Sequence, residues 1–358
     1  MDFALTEEQT AILDLARSFG AEHIAPHARA WEAAGTIPRD LWGRLAELGF
    51  GGLYVSEEAG GAGLSRLDAT LVFEGLSMAC PSVAAFLSIH NMCAAMLDRF
   101  GSDDLKARIL APAVRLETVL SYCLTEPGAG SDAAALRTRA ERTNVMCRTG
   151  EAGAAGISTV VVEHGAPGLS YGGLEDKMGW RAQPTRQVQF DDCFVPAHNL
   201  VGTEGDGFKY AMIGLDGGRL NISACSLGGA QAALDRTLAY MKERRAFGRR
   251  LDEFQALQFR LAELEIELQA ARTFLRQAAW KLDRGAPDAT KFCAMAKKFV
   301  TEAGSRVADA CLQLHGGYGY LADYGIEKIV RDLRVHQILE GTNEIMRLIV
   351  ARSLLAGR

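Results

Sequence analysis

The chain has 358 residues, of which 48% are hydrophobic and 23% are charged, and its formal net charge is -5. This composition is that of a soluble globular protein with a large core and room for two or three domains. A net negative charge gives no general attraction to nucleic acid or to an anionic membrane, so neither is an expected partner. No apolar run approaches the roughly 20 residues that cross a bilayer. The opening "MDFALTEEQT" lacks the charged and apolar regions of a secretory signal.

The eight cysteines are scattered without a CxxC pair, and most stand among apolar residues, as in "SMACPS". This pattern indicates reduced interior thiols in a cytosol-like compartment. The seven histidines form no HExxH motif and no cluster with cysteine, so we expect no metal site.

The first third of the chain has the pattern of helices. Thr6 and Gln9 have capping-box spacing ahead of "AILDLARSFGAEHIAPHA", and Asp40 precedes the periodic run "LWGRLAELGF". Two further runs, "DATLVFEGLSMA" and "NMCAAMLDRFG", follow, and Gly101 is the predicted stop of the second. Residues 1–118 are therefore predicted to form an α-helical domain.

Near residue 118 the pattern changes to short β-branched or alternating runs separated by Gly and Pro. The runs are "TVLSYCLTEPGAGSD", "GISTVVVEHGAPGLSYG" and "RQVQFDDCFVPAHNLVG". Such runs are typical of strands, so residues 119–210 are predicted to form a middle β domain.

Long helices return after about residue 210. Apolar residues step by four and three through one of them, a pattern suited to helix packing within a bundle or between subunits. The stepped positions are Leu257, Leu261, Leu264, Leu268, Ala271, Leu275, Ala278 and Leu282. The predicted fold class is α+β but mainly α, with a four-helix-bundle-like C-terminal domain at residues 211–358.

Four stretches could bind a ligand, and each also has a purely structural explanation. "TEPGAGSD" (125–132) offers hydroxyls and free N–H groups to a heterocycle or a phosphate, or it is a hairpin turn. "QLHGGYGY" (313–320) is a close-approach loop or a helix C-cap. "KERRAFGRRLDEFQ" (242–255) is a pyrophosphate anchor or a solvated basic face. "LDGGRLNI" (215–222) is similarly ambiguous. No strand precedes 313–320, which argues against a Rossmann fold, and no GxSxG elbow supports a serine hydrolase.

A fifth stretch, "HQILEGTNEIM" (336–346), contains the strongest candidate for chemistry. Glu340 lies in an apolar run directly before a glycine, and a glutamate is rarely buried without a partner. The structural alternative is a helix end followed by a turn, with Thr342 capping the next helix.

Taken in order, five segments resemble the acyl-CoA dehydrogenase family. They are "YCLTEPGAGSD", "KMGWRAQPTRQVQFDDCFVP", "RRAFGRRLDEFQ", "LQLHGGYGYL" and "RDLRVHQILEGTNEIMR". The resemblance extends over nearly the whole chain and implies a helical domain, a small β domain and a helical bundle. It also implies a homotetramer that binds FAD across a subunit interface and passes electrons to electron-transfer flavoprotein. Further segments, among them "SIHNMCA" and "GGRLNISACSLG", resemble members that act on isobutyryl-CoA in valine breakdown.

The resemblance implies that Glu340 removes the α-proton of the thioester while flavin N5 accepts the β-hydride. Desolvation in an apolar pocket would raise the basicity of that carboxylate. The thioester oxygen would be held by the N–H of Glu340 and a ribityl hydroxyl of FAD. Some relatives carry the glutamate on the helix that contains "LDGGR". Here that helix offers only Gly217 and Gly218, which favours Glu340 as the base.

The matching positions also imply binding roles. The predicted FAD contacts are Tyr122, Cys123, Leu124, Thr125, Gly130, Ser131, Arg244, Phe247, Phe254, Gln255, Gln313, Leu314, His315, Gly316, Gly317, Thr342, Asn343 and Glu344. The predicted acyl-CoA contacts are Ser131, Asp216, Gly217, Gly218, Arg219, Gly341 and Arg352.

The chain departs from the family in the middle domain. Relatives carry a segment of the form L-N-G-x-K-x-[FW]-I-[ST] against the flavin ring, whereas this chain runs "RTRAERTNVMCRTG" (137–150) past that point. By comparison about twenty residues are absent between Arg142 and Val145, and losing a strand pair exposes the edges that it covered. Either the chain as written omits a stretch, which the intact remaining motifs favour, or a true deletion weakens or abolishes flavin binding.

The leading expectation is an FAD-dependent dehydrogenase of isobutyryl-CoA or a similar short branched thioester. The alternatives are a dehydrogenase of 2-methylbutyryl-CoA or another short acyl-CoA, an acyl-CoA oxidase, or an acyl-CoA-binding protein that has lost flavin. The absence of a transit segment and the Ala/Arg-rich composition favour bacterial cytoplasm, with the mitochondrial matrix expected for a eukaryotic source.

Overall fold

The computed structural model describes residues 4–139 and 146–356. Its first part is helical, as predicted, and the capping box of Thr6 and Gln9 is present at the start of α1. Ser65 caps α4 in the same way with Asp68, and Gly101 ends α5 as predicted. The helices are α1 (Glu7–Phe19), α2 (Ala28–Ala34), α3 (Arg39–Glu47), α4 (Arg66–Ala79), α5 (Pro81–Phe100), α6 (Asp103–Leu105) and α7 (Ala111–Val114).

The middle part contains two separate antiparallel strand pairs among the described residues. The strands are β1 (Cys147–Arg148), β2 (Ile157–Ser158), β3 (Leu169–Leu174) and β4 (Arg186–Phe190). β1 pairs with β2, and β3 pairs with β4 with a register shift between Tyr171 and Leu174. Strands are thus confirmed in two of the three predicted runs.

The predicted strand at 118–132 does not form, and that prediction was wrong. Its described backbone has only the isolated bridge between Glu126 and Ala129. A strand needs a neighbouring strand, and within 4–139 and 146–356 this run pairs with none beyond its own turn. The predicted gap between Arg142 and Val145 lies outside the described residues. On its two sides, Arg139 bridges Arg148, whose N–H donates to Thr138 O over 2.8 Å.

Long helices return as predicted, although the first begins at Gly207, inside the range assigned to the β domain. These helices are α8 (Gly207–Glu243), α9 (Gln255–Asp283), α10 (Ala289–Leu314), α11 (Ile326–Arg334) and α12 (Asn343–Leu355). A short hairpin, β5 (Arg245–Ala246) and β6 (Arg249–Arg250), joins α8 to α9.

The predicted apolar seam of α9 is buried only in part. Its central residues are buried, whereas Leu257, Leu261 and Leu282 remain partly exposed. The buried members are Leu264, Leu268, Ala271, Leu275 and Ala278. Phe259, Ile266 and Trp280 of the same helix are exposed. The helix therefore packs against its own bundle with one face and leaves a second apolar face uncovered.

One hydrophobic core connects the N-terminal helices with the bundle. Phe73 of α4 belongs to the same buried cluster as Leu227 of α8 and Val300 of α10. The buried ion pair between Glu74 and Arg272, 3.0 Å apart, also joins the two parts. This shared core fixes α8 between α4, α5 and α10, where the candidate site lies.

All eight cysteines lie within the described residues, and no disulfide bond joins any of them there. Across 4–139 and 146–356 no group of three or more His, Cys, Asp or Glu side chains could hold a metal ion. In the same part of the chain no helix is both long and apolar enough to span a bilayer.

Candidate active site

Glu340 lies in a strained turn between a short 3-10 helix, Val335–Gln337, and α12. Its φ is +58° and that of Gly341 is +83°, so two successive residues are left-handed. For a non-glycine residue this costs about 1–3 kcal/mol and persists only where the surroundings impose it. Thr342 caps α12, because its Oγ1 accepts from Ile345 N over 3.3 Å. The structural role foreseen for Thr342 is thus confirmed alongside the unusual glutamate.

The Glu340 carboxylate points into the protein, against α8. Its Oε2 is shielded from solvent and has no hydrogen-bond partner in the part of the chain that the structure describes. A Cβ placed on Gly218 would lie 2.4 Å from that oxygen, so only glycine at this position admits the carboxylate. Burial raises the pKa of Glu340 to about 7, and the charges of Arg219 and Lys297 act against this rise. The group is a base suited to neutral pH.

Arg219 and Asp216, one turn apart on α8, form a shielded ion pair beside this carboxylate. Arg219 Nη1 donates to Asp216 Oδ1 over 2.6 Å, and Thr290 Oγ1 donates to Asp216 Oδ2, also over 2.6 Å. Arg219 Nε has no partner. Two of the predicted acyl-CoA contacts thus lie close to Glu340 but are largely committed to each other.

Lys297 of α10 is fully buried beneath the turn that carries Glu340. Its Nζ donates to Gly341 O over 2.7 Å and to Asn343 Oδ1 over 2.9 Å. The sequence prediction missed this residue. Lys297 follows Cys293 by four positions and precedes Val300 by three, and both neighbours are buried. A lysine on the apolar stripe of a helix was the signal that could have identified it.

His336, a second residue not predicted, orders the chain just before Glu340. Trp180 Nε1 donates to His336 Nε2 over 3.2 Å, so His336 Nδ1 carries the proton and donates to Ser226 Oγ over 2.6 Å. Burial, followed by the charge of Lys297, lowers the pKa of His336 to about 3. The ring is therefore neutral and links the middle part of the chain to the bundle.

The stretch 122–131 reaches this region through its first residue. Tyr122 Oη is shielded and has no partner, and its pKa is raised by burial and then by Cys93 and Glu340. Glu126 and Ala129 exchange two backbone hydrogen bonds, of 3.1 and 3.0 Å, which close the hairpin turn foreseen as an alternative. Thr125, Gly130 and Ser131 are exposed. The middle residues, Cys123 and Leu124, are partly buried.

Arg66 presents a further unpartnered polar atom near α8. Its guanidinium stacks on the Tyr54 ring at 3.6 Å, and its Nη1 is shielded without a partner. A Cβ on Gly217 would lie 2.5 Å from that nitrogen. Gly217 and Gly218 thus leave room for a cation on one side and for the Glu340 carboxylate on the other.

The basic stretch 242–255 forms the exposed hairpin between α8 and α9. Phe247 at its tip has a φ of +52° and is 96% exposed. Arg244 lies over the Tyr318 ring at 5.2 Å, and Phe254 lies under Arg249 at 4.9 Å. Gln255, the first residue of α9, is exposed. The Phe247 ring thus projects from the hairpin tip with almost no cover.

The stretch 313–317 ends α10, as its structural alternative predicted. His315 is buried, its Nδ1 donates to Cys311 O over 2.8 Å, and its ring stacks on Tyr240 at 4.4 Å. The side chain therefore serves the fold. Gly316, with a φ of +59°, and Gly317 are exposed, as is Gln313, while Leu314 is partly buried.

The predicted residues of α12 point in different directions. Asn343 is buried and its amide faces Lys297 and Thr301, whereas Glu344 is exposed and pairs with Arg347 at 3.0 Å. Arg352 is exposed near the helix end. Of these three residues, only Asn343 lies against the loop of Glu340.

The described residues thus place an unpartnered, desolvated carboxylate beside two helical glycines of α8. The family model for the acyl-CoA dehydrogenase N-terminal domain matches residues 6–117, and the model for the acyl-CoA dehydrogenase C-terminal domain matches residues 205–355. The chain belongs to the acyl-CoA dehydrogenase family and is an oxidoreductase acting on CH–CH bonds. The resemblance seen in the sequence is thereby confirmed.

The chain is similar over its length to known members. It is 48% identical over 373 residues to "Isobutyryl-CoA dehydrogenase, mitochondrial" of Bos taurus, covering 98% of this chain and 90% of the relative. Butyryl-CoA dehydrogenase from Megasphaera elsdenii has a similar structure, with a TM-score of 0.94 and 35% identity over 99% of this chain and 100% of the other. A chain from the solved structure of the electron transferring flavoprotein of Acidaminococcus fermentans is similar with a TM-score of 0.95 and 38% identity. The match covers 99% of this chain and 100% of the other. Solved structures with this fold include complexes with FAD.

Proposed function

We propose that this protein catalyses the FAD-dependent α,β-dehydrogenation of a short branched acyl-CoA, with isobutyryl-CoA giving methacrylyl-CoA in valine catabolism. The observation that carries the proposal is the shielded, unpartnered Oε2 of Glu340 at a group whose pKa is about 7. The similarity to the bovine relative supports the choice of substrate.

In this proposal Glu340 takes the proton from C2 of the thioester. Its raised pKa lets the carboxylate and the carboxylic acid both be populated near neutral pH, so it can accept that proton and later release it. When bound, FAD supplies the acceptor for the hydride that leaves C3, so that a C2–C3 double bond remains. The unpartnered Oε2 is free to meet the C–H bond, because no protein donor competes for it.

Residues near Glu340 and on the exposed turn after α10 would fit a flavin dinucleotide. Tyr122 Oη is an unpartnered polar atom beside Glu340, and the N–H groups at Gly316 and Gly317 lie on an exposed turn. Arg244 would contribute a cation for the pyrophosphate. Tyr122 to Ser131 would line the ring, and Gln313 to Gly317 with Thr342 and Glu344 would hold the dinucleotide. We give Asn343 and His315 no side-chain contact, since both are engaged inside the bundle.

Exposed apolar surface supports a homotetramer that completes the FAD site. Phe247 at the hairpin tip and Phe259 and Ile266 on α9 are all more than 60% exposed. Such residues are normally covered in an assembly. We propose electron-transfer flavoprotein as the acceptor, and the similarity to a chain from the Acidaminococcus flavoprotein structure supports this choice. The proposed compartment is the cytoplasm of a bacterium, or the mitochondrial matrix if the source is eukaryotic, as in the name of the bovine relative.

One observation favours a second function, an acyl-CoA-binding protein without flavin. The alignment with the bovine relative has 373 positions, while 98% of 358 residues is about 350, so about 20 positions have no residue here. The predicted strand at 118–132 also pairs with no other strand among the described residues. Both agree with a family segment missing from the middle domain.

Purified protein distinguishes these functions. We expect a yellow protein whose flavin absorbance is bleached anaerobically by isobutyryl-CoA and restored by electron-transfer flavoprotein. Protein that stays colourless after incubation with FAD yet binds the thioester would establish the second function. Fast reoxidation by oxygen would instead identify an acyl-CoA oxidase.

Two further measurements refine the proposal. Glu340→Gln should retain the thioester but lose bleaching by at least the ~10²–10⁴-fold typical of an absent general base. Bleaching at the normal rate in this variant would remove Glu340 from the mechanism. A kcat/KM panel over isobutyryl-, 2-methylbutyryl-, isovaleryl- and butyryl-CoA would determine the acyl preference. One methylene changes such preferences by only ~1–3 kcal/mol.

A further inference from the structure

The buried amino group of Lys297 forms direct hydrogen bonds with the turn that carries Glu340. Its side chain is fully buried, and its two acceptors, Gly341 O and Asn343 Oδ1, flank Thr342 on either side. A lysine is almost never fully buried without such partners. We propose that Lys297 is a positioning residue that holds Glu340 in its left-handed turn and places a cation facing its carboxylate. This inference rests on the proposed role of Glu340 as the base.

The geometry explains how one side chain holds the turn. Glu340 and Gly341 have φ values of +58° and +83°, a conformation that an L-residue leaves unless it is tethered. Lys297 fixes the carbonyl directly after Glu340, and through Asn343 it also fixes the first residue of α12. Asn343 is held further by Thr301, whose Oγ1 accepts from Nδ2 over 3.2 Å. The turn is thus tied to α10 at two points.

The charges around Glu340 make Lys297 important for ionisation as well. The carboxylate is faced by two cations, Arg219 from α8 and Lys297 from α10. Two neutral titratable groups, Cys93 from α5 and Tyr122, also interact with it. Arg219 is already paired with Asp216 at 2.6 Å, so part of its charge is neutralised. Lys297 has only neutral hydrogen-bond acceptors.

Lys297 itself has acidic neighbours at longer range. They are Glu344 of α12 and Glu302 of α10, and each also pairs with an arginine or a lysine on the surface. On the other side of Lys297, His336 is neutral. Of the two described cations that face the carboxylate, Arg219 and Lys297, only Arg219 would remain after Lys297 is removed. The pKa of Glu340 should then rise.

Three variants separate anchoring from charge. Lys297→Met removes both, Lys297→Gln keeps a donor for Gly341 O without charge, and Lys297→Arg keeps the charge. The control is Lys298→Met, because the neighbouring Lys298 faces outward and pairs with Glu302 at 2.9 Å. All are prepared as holoenzymes, and circular dichroism checks that they are folded.

The first readout is the pH dependence of anaerobic flavin bleaching by isobutyryl-CoA. The second readout does not depend on turnover. It is a pH titration monitored by infrared difference spectroscopy. The carboxyl band that is absent in Glu340→Gln is assigned to Glu340. In the Met and Gln variants we expect both midpoints to move up by about one pH unit. The ionised fraction of Glu340 at pH 7 would then fall from about a half to about a tenth, which lowers the rate roughly fivefold. The Lys298→Met control should keep the original midpoint. The Arg variant should not raise it, because an arginine stays charged above pH 7, whereas burial lowers the pKa of Lys297 to about 7.

The inference is overturned if the Met and Gln variants, or whichever of them folds, retain the original infrared midpoint. A uniform loss of rate at every pH would mean a structural role only, and it would equally reject the inference. Failure of the proposed function gives a different result. Flavin bleaching would then proceed at the normal rate in Glu340→Gln, regardless of the Lys297 variants.

Discussion

Gly218→Ala is the substitution whose effect can be followed most directly from the structure to catalysis. The new Cβ would lie 2.4 Å from Glu340 Oε2, 2.7 Å from Cδ and 2.9 Å from Oε1. Since non-bonded heavy atoms rest about 3.5 Å apart, the carboxylate must move by about 1 Å. The backbone of Glu340 cannot follow easily, because its turn is tied to Lys297 through Gly341 O.

The expected cost falls on activity rather than on folding. A misplacement of about 1 Å at a reacting group lowers rates by roughly 10²-fold, equivalent to about 2.7 kcal/mol of transition-state stabilisation. Alanine in a helix interior is favoured over glycine by about 1 kcal/mol, so α8 should not be weakened by the substitution. We therefore expect kcat/KM for isobutyryl-CoA to fall about a hundredfold while Tm changes little.

Gly214→Ala is the matched control on the same buried helix. Its Cβ would meet Met96 Sδ at 2.8 Å, and a flexible methionine side chain can move aside. Stopped-flow bleaching and thermal unfolding of both variants make the comparison. Equal activities in the two variants would refute the idea that the missing Cβ of Gly218 makes room for the base.

Three other outcomes are expected. Arg244→Ala should weaken FAD binding, because it removes a charge-assisted contact with the pyrophosphate. The measurement is the amount of FAD lost on dialysis, and unchanged FAD retention would count against this contact. Glu340→Gln should be more stable than wild type at pH 8 by up to about 3 kcal/mol. A carboxyl group with a raised pKa in the folded state makes the protein less stable as the pH rises through about 7. Chemical denaturation should therefore show that the difference in the free energy of unfolding shrinks toward pH 5. Arg272→Ala should destabilise the fold by about 3–5 kcal/mol, since it leaves Glu74 buried and unpaired. A free energy of unfolding at pH 7 equal to that of the wild type, measured by chemical denaturation, would contradict this.

The sequence by itself determined the features that depend on near neighbours along the chain. The capping box of Thr6 and Gln9, the stop at Gly101 and the cap at Thr342 each involve groups within a few residues, and all are present. The centre of the α9 seam is buried because helical periodicity alone brings those residues to one face. The order of motifs was sufficient to identify the family.

Only the tertiary structure decided which distant residues meet. Gly218 lies against Glu340, 122 positions away, and Lys297 donates to Gly341, 44 positions away. No local sequence pattern encodes such pairs. The predicted strand at 118–132 failed for the same reason, since a strand exists only where a partner lies beside it. Local propensity is short-ranged, whereas desolvation of a carboxylate depends on everything packed around it. The basicity of Glu340 is therefore a property of the fold.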